Sequence, residues 1–252
     1  MRIAILILFL LLAGCNGGIY NVPTKEYQQQ VKTLGVLPLI VDVRSGISHP
    51  DATEIFSLLR RAADGQSETV VEALRKKKGY FDVRLINEPE RILAEKLLLK
   101  ADVDELGQPR GYQLNLQFLA ELCKDSFVDG VLLLNLQAAV HNEKRWSRNT
   151  FETLVTDYND IMATASVVSA DGRVLWEMSG ADAVTILALQ YPDFDEAHFN
   201  KSAAVKLKFI GISGLEKTLL PAAKEGQEKL QSPQIADWLK KVTAALSPTL
   251  FR

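Results

Sequence analysis

Two long β-rich runs, separated by a polar loop and followed by Asp171-Gly172, leave this chain few folds to choose from. The first opens after Asp129-Gly130 and extends from Val131 to about His141, and the second runs from about Phe151 to Ser169. Asp171-Gly172 lies between Val167-Val168 and Val174-Leu175-Trp176, a strong two-residue hairpin signal because such turns need residues that tolerate positive φ. Three strands therefore form an antiparallel meander. A sheet of that length has to be covered, and the segments around it read as helices able to cover it.

Upstream, Thr33 to Val43 is almost continuously apolar and β-branched, as expected of a strand covered on both faces. Pro38 within it cannot donate to a ladder. Helical patterns follow from about Asp51 to Ala63 and from about Ser67 to Lys78, whose basic end complements the helix dipole before Gly79. Tyr80 to Ile86 alternates as a strand, and helices are expected from Pro89 to about Leu99 and from about Gln113 to Lys124. Downstream, Asp182 to Asn200 reads as irregular or weakly helical, and much of Lys201 to Ala223 as helix. The last helix is capped by Ser232, opens with Pro233, and aligns Ile235, Trp238, Leu239, Val242 and Leu246 on one face. The expected fold class is α/β (α+β): a mixed sheet with helices packed on it, a long antiparallel meander, and a C-terminal helical extension. Residues 31–180 form the α/β domain, and 181–252 the extension packed on the same domain.

At the N-terminus Arg2 precedes an apolar run from Ile3 to Leu12, then small residues and a cysteine. The run is too short for a membrane span, which takes about 20 residues, and fits a secretory signal. Leu12-Ala13-Gly14-Cys15 resembles the lipobox of bacterial lipoproteins. That resemblance implies a signal peptide over 1–14 and a lipidated Cys15, carrying a diacylglyceryl group and commonly a further acyl chain such as palmitate. Two or more chains anchor stably where one does not. Asn16, in place of Asp, implies sorting to the outer membrane with the domain facing the periplasm. Residues 15–30, with Gly17, Gly18, Asn21, Pro23 and Gln28-Gln29-Gln30, are expected as a lipidated tether.

Three segments carry a second resemblance: Leu34-Gly-Val-Leu-Pro-Leu39, Asp129-Gly-Val-Leu-Leu133 and Asp171-Gly-Arg-Val-Leu-Trp176. Together with the element order they resemble the small α/β domain of envelope lipoproteins related to the curli-secretion family. The same type of domain occurs in lipoprotein activators of penicillin-binding proteins and in the N-terminal part of the Tol-Pal propeller protein. The resemblance spans roughly 31–180 and transfers no catalytic residue. Pore-forming hairpins of the curli type need lipid-facing alternation. Glu143, Lys144, Arg145, Arg148 and Asn149 near the tip of this one do not supply it.

Candidate chemistry is sparse. A lipidated Cys15 leaves Cys123 unpaired; Leu116, Leu119, Ala120 and Cys123 share a helix face, so the thiol is expected in the core. Gly211-Ile-Ser213-Gly214 departs from the Gly-x-Ser-x-Gly nucleophile elbow and reads as a helix start. Asp193, Asp195, Glu196 and His198 match neither a calcium loop nor a zinc helix and read as a solvated loop. His49 is assigned turn and cap duties, and His141 a surface position. No catalytic residue, metal site or cofactor is expected. With a net charge of −2 and no strong basic bias, nucleic acid is not an expected partner. Arg145, Trp146 and Arg148, on a projecting loop, are the expected partner-binding residues. The functional expectation is a non-enzymatic accessory or scaffold in an envelope complex, held at the membrane by lipid and bound to an envelope protein. The alternative is a periplasmic small-ligand or glycan binding module with a cleft between the α/β domain and the C-terminal helices.

Overall fold

The computed structural model describes residues 18–77, 79–147, 152–194, 205–221 and 232–246. The fold is α/β with a mixed sheet, and the expected meander is its spine. β7 (Gly130–Trp146) pairs with β8 (Thr153–Ser169) along the full length of both, from Gly130 opposite Ser169 to Trp146 opposite Thr153. β9 (Val174–Met178) returns along β8 through the Asp171-Gly172 turn, where Gly172 adopts φ +85°.

The remaining strands flank the spine. β2 (Thr33–Val36) and β3 (Ile40–Asp42) both run parallel to β7. The single strand expected over Thr33–Val43 is split, with Pro38 in the gap. Val36 lies opposite Leu132 but Ile40 opposite Asn135, so β7 advances one residue fewer than its neighbour across the break. A residue without an N–H is accommodated at such an irregularity. β4 (Asp82–Leu85) extends the sheet parallel to β2, and β1 (Ile19–Tyr20) closes the opposite edge on β9. β10 (Val184–Ala188) continues along β8 beyond β9. Two short hairpins lie outside this sheet: β5 (Leu98–Val103) with β6 (Pro109–Leu114), and β11 (Gln190–Asp193) with β12 (Lys206–Phe209).

Each face of the sheet has its own cover. One is packed by α1 (Thr24–Gln30), α2 (Ala52–Ala63), α3 (Gln66–Arg75), α6 (Ile212–Leu219) and α7 (Pro233–Ala245), which share a core with Leu132, Leu134, Leu136, Ile161 and Ala163. The other is packed by α4 (Glu90–Lys96) and α5 (Leu116–Ser126) against Val131, Leu133, Val168 and Ile40. Ser232 accepts from Ile235 N–H, capping α7 as the sequence indicates, and Trp176 and Trp238 are buried.

Several expectations give way. The segment expected as a tether is folded from Gly18 onward: β1 pairs with β9, α1 buries Tyr27, and Tyr20 donates its hydroxyl to Ala245 O at 3.1 Å. Aromatic anchors override the loop-forming composition around them. The helix expected over Pro89–Leu99 stops at Lys96, since Leu98 already belongs to β5. The one expected from Gln113 begins at Leu116, where Asn115 caps it by accepting from Phe118 N–H. Asp182 to Asn200 contains β10 and β11, and the stretch read as helix from Lys201 contains β12 before α6. Among the described residues, no helix is long and apolar enough to cross a membrane.

Cys123 is in the core, as expected. Burial pushes its thiol up to about 11, with the negative charge of Asp129 adding to the effect. Burial likewise raises Tyr27 and Tyr80, whose hydroxyls lie 2.6 Å apart. All three groups are neutral in the fold and ionise more readily in the unfolded chain. Their contribution to stability is therefore complete below the ordinary thiol and phenol values, about 8.5 and 10, and is lost as pH rises through the folded ones. Melting temperature should be flat to about pH 8 and fall between about pH 9 and 11. A melting temperature constant through pH 11 would refute this coupling.

Candidate functional site

Beyond Gln137 and Asp160 the spine leaves its flanking strands and runs on as a two-stranded ribbon. At about 3.3 Å per residue, Ala138 to Trp146 is roughly 30 Å of projecting arm. Its two faces differ, because side chains alternate across a strand. One face carries Val140, Asn142, Lys144 and Trp146 from β7, with Val155 and Asp157 from β8. It is open to solvent: Val140 is 54 %, Trp146 56 % and Val155 59 % exposed. The Lys144 ammonium lies 4.5 Å from the centre of the Trp146 ring, holding the indole at the tip against a cation.

The opposite face is buried and charged. Asp160 is fully buried, and its Oδ2 accepts from His141 Nε2, at 2.8 Å, and from the Arg145 guanidinium. Arg145 also donates to Glu143 at 2.8 Å and to Gln190 O at 2.8 Å, and its guanidinium carbon lies 3.9 Å from the centre of the Tyr158 ring. Gln108 Nε2 donates to His141 Nδ1 at 2.9 Å. The turn between β5 and β6 supplies Gln108, and its close fit explains Gly107. With φ +79° and a Cβ that would strike the Val140 carbonyl oxygen, only glycine suits the position.

This cluster corrects two expectations. His141, read as a surface residue, is buried beneath the β5–β6 hairpin. Arg145, read as part of a partner surface, points inward with its side chain 16 % exposed and serves the buried Asp160. Trp146 does present itself to solvent, and Arg148 lies outside the described residues. His141, Glu143 and Asp160 each bring one donor atom to within 4.8 Å of the others, a spacing open to a divalent cation. The guanidinium of Arg145 already bonds both carboxylates, so a fixed cation of the chain itself occupies that role.

The other sequence candidates resolve as follows. His49 accepts Asp51 N–H at Nδ1, as a cap does, and its Nε2 reaches Ile210 O at 3.0 Å, pinning the start of α2 to the strand–helix segment that holds β12 and α6. Gly211 opens α6 as expected, and Ser213 is exposed. Asp193 pairs with Lys208 at 2.6 Å across β11 and β12, while Asp195, Glu196 and His198 lie outside the described residues, as do Cys15 and Asn16.

A crevice of about 290 Å³ opens at the carboxyl ends of the parallel strands β2 and β4, lined by Arg60, Ser67, Glu68, Asn87 and Glu90 among others. Ligands of open α/β sheets bind at this end of the strands. Nothing in the sequence marks it, because its walls come from three helices and two strand ends far apart in the chain.

No family model matches this chain, and no curated protein matches it. Among solved structures, a neuraminyllactose-binding hemagglutinin homologue from Helicobacter pylori aligns over 85 % of this chain and 82 % of its own, at 9 % identity and a TM-score of 0.31. A likeness of that size is too slight to place the two in one fold.

Proposed function

We propose that this chain is an outer-membrane lipoprotein, anchored at Cys15 and facing the periplasm, that acts as a non-enzymatic scaffold by docking an envelope protein on the exposed face of its β7–β8 ribbon. One observation supports it above others: Trp146, Val140 and Val155 are all more than half exposed on an arm held rigid from behind by buried charge. Exposed tryptophan beside cations is the composition of interface hot spots, and such apolar surface on a stiff projection is costly without a partner. The anchor complements the arm. β1 begins four residues after Cys15, so acyl chains there hold the domain within about 15 Å of the bilayer.

The crevice at the ends of β2 and β4 supports a second reading, a small-ligand module. It lies among α2, α3 and α4, away from the cleft with the C-terminal helices that the sequence suggested. Affinity purification from membranes separates the two. Wild-type protein should co-purify with one stoichiometric envelope protein, and Trp146→Ala should lose it at least tenfold while its melting temperature moves by less than about 2 °C. Cys15→Ser should appear in the soluble fraction. A partnerless wild type whose melting is shifted by small carboxylates would overturn the scaffold and favour the module.

A further inference from the structure

The chain leaves β2 and β4 in opposite directions. From β2 it runs through β3 into α2 and α3, which pack on one face of the sheet, and it returns as β4 on one side of β2. From β4 it passes to α4 and α5 on the other face and returns as β7 on the far side of β2. Neighbouring parallel strands whose connections diverge in this way leave a crevice outside their carboxyl ends, and open α/β sheets bind ligands there. The crevice of about 290 Å³ lies at this switch point. Leu39 and Val41 line it from the β2–β3 side and Ile86 from the end of β4, and all three are buried, so they give it an apolar floor. Its volume is at the lower end of the range for ligand pockets.

Unused polar groups border that floor. α3 starts at the crevice: Gly65, Ser67 and Glu68 line it, and Gly65 supplies no side-chain cap. The N–H groups of a helix's first turn have no partner within the helix and carry the positive end of its dipole. Ser67 is 4 % exposed, yet its Oγ has no hydrogen-bond partner, whereas a buried hydroxyl ordinarily has one. Arg60, at the end of α2, has one ionic neighbour among the described residues: its Nε lies 3.8 Å from Glu90 Oε2, too far for a hydrogen bond. Glu90 is itself engaged through Oε1, which accepts from Val41 N–H at 3.1 Å. Asp64 and Glu68 also line the crevice, as exposed acids whose carboxylates have no partner among the described residues. The walls therefore offer both free donors and free carboxylates.

We propose that this crevice binds a small zwitterion of the amino-acid class, with an aliphatic side chain laid on the apolar floor. The inference rests on the small-ligand reading of the crevice and narrows it. The ligand's carboxylate takes hydrogen bonds from the first-turn N–H groups of α3, from Ser67 Oγ and from the Arg60 guanidinium, donors suited to a carboxylate. Its ammonium faces Asp64 and Glu68. Charge selects this class over simpler ones. Arg60 brings one positive charge against three negative ones on Asp64, Glu68 and Glu90, so a plain anion meets repulsion. A plain cation leaves the Ser67 hydroxyl and the α3 N–H groups unpaired. A molecule that carries both charges on one carbon satisfies both sets.

The test is titration calorimetry of the whole protein with L-leucine and with two analogues that each lack one charge, leucinamide and 4-methylvalerate. L-leucine should bind, and each analogue should bind at least tenfold more weakly. Ser67→Ala and Arg60→Gln should each weaken L-leucine by about tenfold, the loss of one hydrogen bond to a charged group. Without ligand, Ser67→Ala should melt no lower than wild type, because the substitution removes a buried hydroxyl that has no partner. An analogue that binds as tightly as L-leucine would overturn the zwitterion and leave the crevice a ligand site of another class. No heat from any of the three compounds, or an L-leucine affinity unchanged in both variants, would overturn the crevice reading along with it.

Discussion

Replacing Arg145 with alanine should destabilise the protein by about 3–5 kcal/mol, the range seen when one partner of a buried ion pair is removed. The carboxylate of Asp160 has no exposure, and among the described residues its Oδ2 takes hydrogen bonds only from His141 and Arg145. Without the guanidinium, a charge remains in the interior with one imidazole contact to hold it. The contact with the Tyr158 ring and the bond to Gln190 O are lost in the same step. Chemical denaturation measures the loss directly. Arg145→Met combined with Asp160→Leu should recover most of it, because replacing both partners with apolar groups of similar volume removes the stranded charge. An Arg145→Ala protein within about 1 kcal/mol of wild type would show that Arg145 belongs to the surface. The comparison with Trp146→Ala is informative because the residues are adjacent. Neighbours on a strand point to opposite faces, so one should govern folding and the other docking.

The same alternation explains what the sequence displayed and what it concealed. The meander was legible because Asp171-Gly172 fixes a turn chemistry that few other structures use, and the runs beside it are β-branched. α7 was legible because its cap, its first-turn proline and its apolar stripe all agree. The role of Arg145 was not. Asn135, Gln137, His141, Glu143 and Arg145 occupy every second position but Ala139, a pattern that ordinarily marks a solvent face. Here a hairpin covers it, and that hairpin, Leu98–Leu114, interleaves Lys100, Asp102, Asp104 and Glu105 with its apolar residues, so it resembles a loop. Pairing Asp160 with His141 also needs the β7–β8 register, which the long loop after Trp146 does not encode. A slip of one residue would move each of these side chains to the other face. Pro38 carried its message plainly, since the break between β2 and β3 falls where a missing N–H requires it. The tether failed for the opposite reason: Gly17, Gly18 and Pro23 announce flexibility, but Tyr20 and Tyr27 find partners more than 50 residues away.

Trp238→Ala should cost a similar 3–5 kcal/mol, the usual range for emptying a buried tryptophan site. The residue is almost wholly buried in the core that also holds Leu34, Leu132, Trp176 and Ile186, so α7 is seated on the sheet itself. Its ends are fastened too: Tyr20 reaches Ala245 O, and Lys77 donates to Thr243 O at 3.0 Å. These contacts tie the start of the folded chain, the end of α3 and the last helix into one unit. Unfolding should therefore remain a single cooperative transition in wild type and in the variant, with the midpoint displaced as a whole. Trp238→Phe should be much milder, because Nε1 has no hydrogen-bond partner and only part of the apolar volume is removed. Two separate transitions, or a loss below about 1 kcal/mol, would mean that the C-terminal helix folds apart from the sheet. A single transition displaced in full would mean that the sheet, and the arm projecting from it, depend on residues more than 200 positions after the first strand.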